Sequence, residues 1–522
     1  MLRKFFSVLL VSLLIISAIP CSLSAAEDAK ATAPGGNVTT VDELVYALGG
    51  KGITYENGVI TIVKDVVLAS SVNITAGSYV IVGEGATVKG VFDGDLFVIS
   101  GEGTTLTLGD QAAAENKSDL VFDGGNTVRE GSIFRVELGA KLEMYNSVLI
   151  KNAATSVSGG AVYSLGEFTM FGGIIENCRA SSSGGAIYND GELTLASGEI
   201  TGCSANHGGA LYSEGKSNVV ATKIKGCKAT NGGAIFNTDE LRFNAATVTE
   251  CSATKGGAVY NSGKAFIKGG TINKNKAENG DGGGIYNSFE LELSGYVISE
   301  NTAKNGGNVY NSGTVTTGEN FQLVSGVATS NGGNIYNAEL GIFTQSTGAV
   351  TLGSAVCGGG VYNLGTYNLS AGIYANRADI ADGILNHGRV VLSGMGYCEK
   401  GDDIFVVLTP ENKHAIVVAE NWSYNKKPVS VSCGVTDNGG YFYSHSVGNK
   451  LLDIKGKADA GKRFALHVTD TGLVLNKDGS LVKASAPVSK NLVTVICIIF
   501  SYPLVTAAIV FVIRYFDKKK LA

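Results

Sequence analysis

Few residues of this 522-residue chain are spaced for chemistry. Asp402-Asp403 is a carboxylate pair of the kind that sugar-bond cleavage requires, provided that both acids face the bond. No Gly-His-Gly phrase accompanies it. His207 and His387 are each followed by glycine but preceded by asparagine, and both read as solvated turn histidines. Arginines are few and scattered. Asp281, within Asn279-Gly-Asp-Gly-Gly, has the look of a calcium-loop fragment, yet the nonapeptide calcium repeat is missing. No Cys-x-x-Cys or His-x-x-x-His suggests zinc. The expectation is therefore no catalytic residue, no metal and no cofactor.

Two other residue types recur at fixed intervals. Cys178, Cys203, Cys227 and Cys251 form one series. Tyr163, Tyr188, Tyr212, Phe236, Tyr260, Tyr286, Tyr310, Tyr336 and Tyr362 form another. Thiols at equal heights in neighbouring units could close as disulfides. A row of aromatic rings could stack on sugars or grip a partner.

The elements that carry these residues are written ten times. The phrase reads GGAVYS at Gly159, GGAIYN at Gly184, GGALYS at Gly208, GGAIFN at Gly232 and GGAVYN at Gly256. It continues as GGGIYN at Gly282, GGNVYN at Gly306, GGNIYN at Gly332, GGGVYN at Gly358 and a decayed ADGILN at Ala381, with steps of 23 to 26 residues. A fixed period of this size marks stacked repeats. Each unit holds three short strand-like pieces, such as Ala186–Asn189, Glu192–Leu195 and Glu199–Cys203, separated by glycine or polar turns. That describes one coil of a parallel β-helix of about 24 residues per coil. Leucine-rich repeats have a similar period, but their leucine spacing and helical segments are missing.

Stacking places equivalent residues about 4.8 Å apart. Cys178–Cys203 and Cys227–Cys251 then fall within the Cα range of disulfides, and an oxidising location would permit them. The alternative is that cysteine packs as a small buried residue in place of asparagine. Parallel side chains leave the Cβ atoms slightly too far apart, which favours packing. Asn152, Asn275, Asn301 and Asn376 are read as the asparagines of the same slot. The double glycine marks either a positive-φ turn or a backbone too close to its neighbour for a Cβ. The aliphatic residue after it points inward, and the closing asparagines (Asn189, Asn237, Asn261, Asn287, Asn311, Asn337, Asn363 and Asn386) stack as amides. Alternation turns the tyrosine away from that aliphatic residue, toward solvent. Its regularity looks architectural.

Composition agrees with a solenoid: 72 Gly, 6 Pro, 17% charged residues and a net charge of −5, which offers no basic surface for nucleic acid. Both ends carry membrane signals. A basic start and an apolar run predict a signal peptide over 1–26. An apolar segment predicts one transmembrane helix over 491–513, followed by a basic cytoplasmic tail at 514–522. Between them we expect a flexible leader (27–40), an N-terminal cap with irregular first coils (41–131), and the repeats proper (132–394). Irregular coils or a β cap (395–482) and a linker (483–490) follow. Val41–Leu48 is expected to form a short helix covering the first end of the solenoid.

Paired GGA-[Ile/Leu/Val] and Phe-x-x-Asn tetrapeptides resemble those of polymorphic outer-membrane-protein (Pmp-type) repeats over Ser132–Gly394. In the second tetrapeptide Ile stands for Phe, and Cys sometimes for Asn. The resemblance implies a pectin-lyase-like right-handed β-helix shown at a cell surface, often with a role in adhesion. Family members of the autotransporter kind end in an outer-membrane barrel, where this chain has an apolar segment and a basic tail. The expectation is an all-β solenoid with one C-terminal membrane helix: a non-enzymatic, adhesin-like plasma-membrane protein with a large extracellular part. Its partners would be the membrane and a glycan or cell-surface protein. The alternatives are a membrane-tethered polysaccharide lyase or glycoside hydrolase, and a purely structural surface-layer component.

Overall fold

The computed structural model describes residues 32–483 except 113–117, 296, 400, 409–415, 425–426, 438–439, 444–450, 456–459 and 467–472. The expected signal peptide, transmembrane helix and tail, and the linker beyond Lys483, lie outside the described residues. Among the described residues no helix is long and apolar enough to cross a membrane.

The chain is an all-β parallel solenoid of about 14 turns, with roughly 25 residues per turn. In the coil that begins at Gly184, the strands are Ile187–Asn189, Glu192–Leu195 and Glu199–Thr201. None is long enough to bury a face alone. Each gains its partners from the coils above and below, as stacked repeats do. Ile187 pairs with Leu211, Tyr188 with Tyr212 and Asn189 with Ser213, all in parallel register. Leu193 and Ile200 pair in the same way with Ser217 and Ile224. Three parallel sheets result, and their inward residues fill the core. Ile187, Leu211, Ile235, Val259 and Ile285 form one fully buried aliphatic column.

The two glycines of the repeat have different duties. The first holds φ between +62° and +68° in all nine copies from Gly159 to Gly358, a conformation that side chains resist. In the decayed copy Ala381 takes that place at φ +59°. At the second glycine a Cβ would run into the next coil: at Gly185 it meets the Gly209 carbonyl, and at Gly209 the Gly233 carbonyl.

A second left-handed residue follows the third strand, and it is not reserved for glycine. Asn152, Asn177, Glu250, Lys274, Glu300 and Leu352 all hold φ between +53° and +58°. The pairing on either side fixes this backbone and bears its strain. This position corrects one expectation. Lys151 pairs with Glu176, so Asn152 aligns with left-handed Asn177, and Ala153, not Asn152, shares the slot of Cys178. Beyond this bend a fourth short strand completes six later coils, as in Ser252–Lys255 and Thr302–Asn305.

At the N-terminal end, helix α1 (Val41–Ala47) covers the core with Leu44 and Ala47. A capping box between Thr40 and Glu43 starts it. An antiparallel hairpin, Ile53–Glu56 with Val59–Ile62, turns at Asn57-Gly58, both at positive φ. The described part of the leader differs from the free segment expected. Ala33 bridges Leu68, and Gly36–Val38 is the first strand, paired with Val72–Ile74. Small polar residues conceal a strand whose stability comes wholly from its neighbour. At the other end Ile404–Val407 and Val429–Asp437 continue the first sheet in parallel. A hairpin of Leu473–Leu475 and Leu481–Lys483 adds Leu475 and Leu481 to the core.

Candidate functional site: an aromatic column on the outer face

In the repeat coils each strand of the first sheet is three residues long and buried at both ends; the middle residue is half-exposed in most copies but buried, at 9% exposure, at Tyr286 and Tyr362. The middle residue is the tyrosine, so the expected outward direction holds. Nine rings, from Tyr163 through Phe236 to Tyr362, stack with centroids 4.6–5.5 Å apart and planes within 15°. At one end the Arg135 guanidinium lies 4.8 Å from the Tyr163 ring centre. At the other, the Tyr362 hydroxyl is 3.2 Å from His387 Nε2. The ring faces are thus taken by one another. What the column turns outward is its edge, which carries a hydroxyl at every coil but one and is itself largely covered at Tyr286 and Tyr362.

Polar side chains line that edge. Glu214 accepts from the hydroxyls of both Tyr188 and Tyr212, the latter at 3.2 Å. Lys255 Nζ sits 5.1 Å from the Tyr286 ring centre. Partial burial, with Glu214 close by, pushes the Tyr212 phenol up to about 12. Burial, with Tyr362, Asp281 and Glu339 nearby, takes Tyr336 to about 12 as well. Tyr188 and Tyr310 move in the same direction, burial being the largest cause for each. At neutral pH these phenols are therefore protonated and able to donate.

The residues preceding each double glycine form a parallel polar row. His207 Nδ1 lies 3.2 Å from Asn231 Nδ2. Asn305 Nδ2 donates to Asp281 Oδ1 at 2.9 Å, and Asn331 Nδ2 to Asn305 Oδ1 at 3.1 Å. Asp281 is thus a rung in this row. Among the described residues no group of three or more His, Cys, Asp or Glu is placed to hold a metal. His387 is half-buried under Tyr362, and burial lowers its pKa, favouring the neutral ring that can accept from the phenol.

The residue after each tyrosine faces inward. Asn237, Asn261, Asn287, Asn311, Asn337, Asn363 and Asn386 are fully buried, and each amide in the run donates to the next Oδ1 at 2.6–2.9 Å. Each Nδ2 also reaches carbonyls of its own turn and of the next coil, as Asn261 does with Gly263 and Glu290. The run starts abruptly. Asn237 Oδ1 is buried without a partner, because the coil before it holds Ser213, whose hydroxyl pairs with Ser217 at 2.6 Å.

A second internal column begins with Cys178, Cys203, Cys227 and Cys251, all buried free thiols. Three sulfurs, those of Cys178, Cys203 and Cys251, lie 3.3–3.4 Å from the carbonyl two residues back. Burial holds the Cys203 and Cys251 thiols well above their usual pKa; for Cys227 the contact with Cys203 is the first cause. Low thiolate content makes such groups poor nucleophiles. Asparagines take over below: Cys251 N donates to Asn275 Oδ1, and Asn275 N to Asn301 Oδ1, both at 2.9 Å. Gly326 and Gly353 then occupy the slot, and the space is filled by Asn308 and Asn334 from the two GGN copies of the repeat. The column ends on Asp402, whose Oδ1 accepts both the backbone N–H and the side-chain amide of Asn376 at 2.9 Å. Asp403 is equally buried and accepts from Ser432. The carboxylate pair suggested for sugar cleavage thus lies inside the rod, bonded to its frame.

The fold and this column define the class: a parallel β-solenoid with an external aromatic stack and two internal polar columns. In comparisons with known proteins, no family model, curated protein or solved structure matches the chain.

Proposed function

We propose that the protein is a non-enzymatic, adhesin-like rod at the cell surface, with its coils wound in the right-handed sense. In this reading the leader 1–26 exports it and the apolar segment 491–513 holds it in the plasma membrane. One observation carries the binding role. Phe236 stacks on Tyr212 and Tyr260 at 5.1 and 4.6 Å, as closely as any tyrosine in the column. Stacking therefore does not require the hydroxyl, yet eight of the nine rings carry one. The hydroxyl row is what the column offers a partner. An extended glycan or a surface protein lying along the rod meets the edges of Tyr260, Tyr310 and Tyr336, while the hydroxyls of Tyr188, Tyr212 and Tyr362 are bonded to Glu214 and His387. Face stacking of sugars is disfavoured, because the faces are covered.

The test is binding of the purified full chain to a glycan array and to intact cells. Binding that falls when Tyr260, Tyr286, Tyr310 and Tyr336 are changed together to Phe supports the reading. Binding to neither contradicts it and favours a purely structural surface-layer component, a role that the covered ring faces also suit. The lyase or hydrolase alternative is weakened by the burial of Asp402 and Asp403. For the cysteines, packing as thiols is the reading we favour over the Cys178–Cys203 and Cys227–Cys251 staples. Intact mass unchanged by reductant is expected; a gain of four hydrogens, with peptide maps joining Cys178 to Cys203 and Cys227 to Cys251, would establish the staples.

A further inference from the structure

We infer that Asn421 and Asn37, one at each end of the rod, are acceptors for N-linked glycans; this rests on the proposed export of the chain. The acceptor sequence is Asn-x-Ser/Thr with x other than Pro. It occurs at Asn37, Asn73, Asn116, Asn368 and Asn421, and nowhere between 118 and 367, although asparagine abounds there. The coils that carry the stacked rings from Tyr163 to Tyr336 are thus free of it, and the Tyr362 coil holds only Asn368.

The structure separates the candidates. Asn421 and Ser423 are exposed, whereas Trp422 between them is buried, stacked 5.0 Å from Phe464 and donating from Nε1 to the Gly396 carbonyl at 2.8 Å. The middle residue anchors the segment, and the two residues that the chemistry needs are exposed, the Ser423 hydroxyl donating to the Gly394 carbonyl at 3.2 Å. Asn37 and Thr39 are likewise exposed on either side of fully buried Val38. Asn368 differs. Its Nδ2 donates to Thr344 Oγ1 at 3.0 Å, and the Ser370 hydroxyl is 2.6 Å from that of Ser393, so both are tied to neighbouring coils. Asn73 is only half-exposed, and its amide donates to Asn37 Oδ1 at 3.2 Å. Asn116 lies outside the described residues.

The co-reactant is a lipid-pyrophosphate-linked oligosaccharide. Asn Nδ2 loses one proton and bonds to the anomeric carbon of the first sugar. That carbon's bond to the pyrophosphate oxygen breaks, and the lipid pyrophosphate leaves with the electron pair.

The test expresses the full chain in a secretory cell that performs N-linked transfer. Enzymatic glycan removal in heavy-oxygen water then tags each former acceptor as a labelled aspartate in peptide mass maps. Tags at Asn421 and Asn37, with Asn368 unmodified, are expected. Asn421→Gln and Ser423→Ala should each remove the Asn421 glycan alone, and Ser423→Thr should keep it. A chain trimmed of its leader but bare at both sites overturns the inference while leaving export standing. A chain kept inside the cell with its leader intact overturns export, and the inference with it.

Discussion

Tyr286 and Asn287 are neighbours in sequence, and both repeat through the same coils, yet they solve different problems. Asn287 points inward and is fully buried. It accepts from Asn261 at 2.8 Å and donates to Asn311, Phe289 and Thr314 at 2.9–3.2 Å. A buried amide has no water to fall back on, so every hydrogen-bonding group needs a fixed protein partner. Tyr286 lies on the outer face and stacks on Tyr260 and Tyr310 at 4.8 and 4.7 Å, which with its other neighbours leaves it 9% exposed. Its column tolerates Phe236, and Leu385 continues it beyond Tyr362. The inner column is exacting and belongs to the frame. The outer one is permissive, which leaves it available for contact.

The sharpest way to break this contrast is Asn287→Ala. It removes four hydrogen bonds and leaves buried groups unpaired, each worth about 1–3 kcal/mol. Hydrogen-exchange protection should fall by about 2–3 kcal/mol around coils 261–311, with less change far along the rod, because contacts run only between adjacent repeats. On the outer column Tyr310→Leu should cost only about 1 kcal/mol, the worth of its aromatic pairing.

Asp402→Asn should act in the other direction. Burial raises the Asp402 pKa, so the folded state holds this proton more tightly than the unfolded chain. Its contribution to stability is therefore full in acid, below the unfolded pKa, and is lost as pH rises through the folded value. An amide keeps the acceptor for Asn376 without the charge. Its Nδ2 can reach the Ile373 carbonyl, as Asn376 Nδ2 reaches that of Val350 at 3.1 Å. The variant should gain about 1 kcal/mol at neutral pH, and the gain should vanish in acid. A melt series from pH 3 to 8 checks the sign.

The period and the inward amides were legible because identical residues at strand spacing leave few arrangements. The outward tyrosine followed from alternation alone. Ring orientation did not, since it depends on coils stacking closely enough to lay each ring on the next. The register of Asn152 was misread because the left-handed residue after the third strand is as often Glu250 or Leu352 as Asn or Gly, and leaves no mark in composition. The fourth strand was missed for a related reason: Lys276–Asp281 is short and polar and is held by Ser252–Lys255 and Thr302–Asn305. The coupling of Asn308 and Asn334 with Gly326 and Gly353 joins residues far apart within each coil, and only the folded path brings them together.

The most direct test of the central claim is the combined change of Tyr260, Tyr286, Tyr310 and Tyr336 to Phe, measured for melting and for binding to glycans and cells. Stability should change by less than about 0.5 kcal/mol per site, and binding should be lost. Full binding with the four hydroxyls gone would contradict that claim.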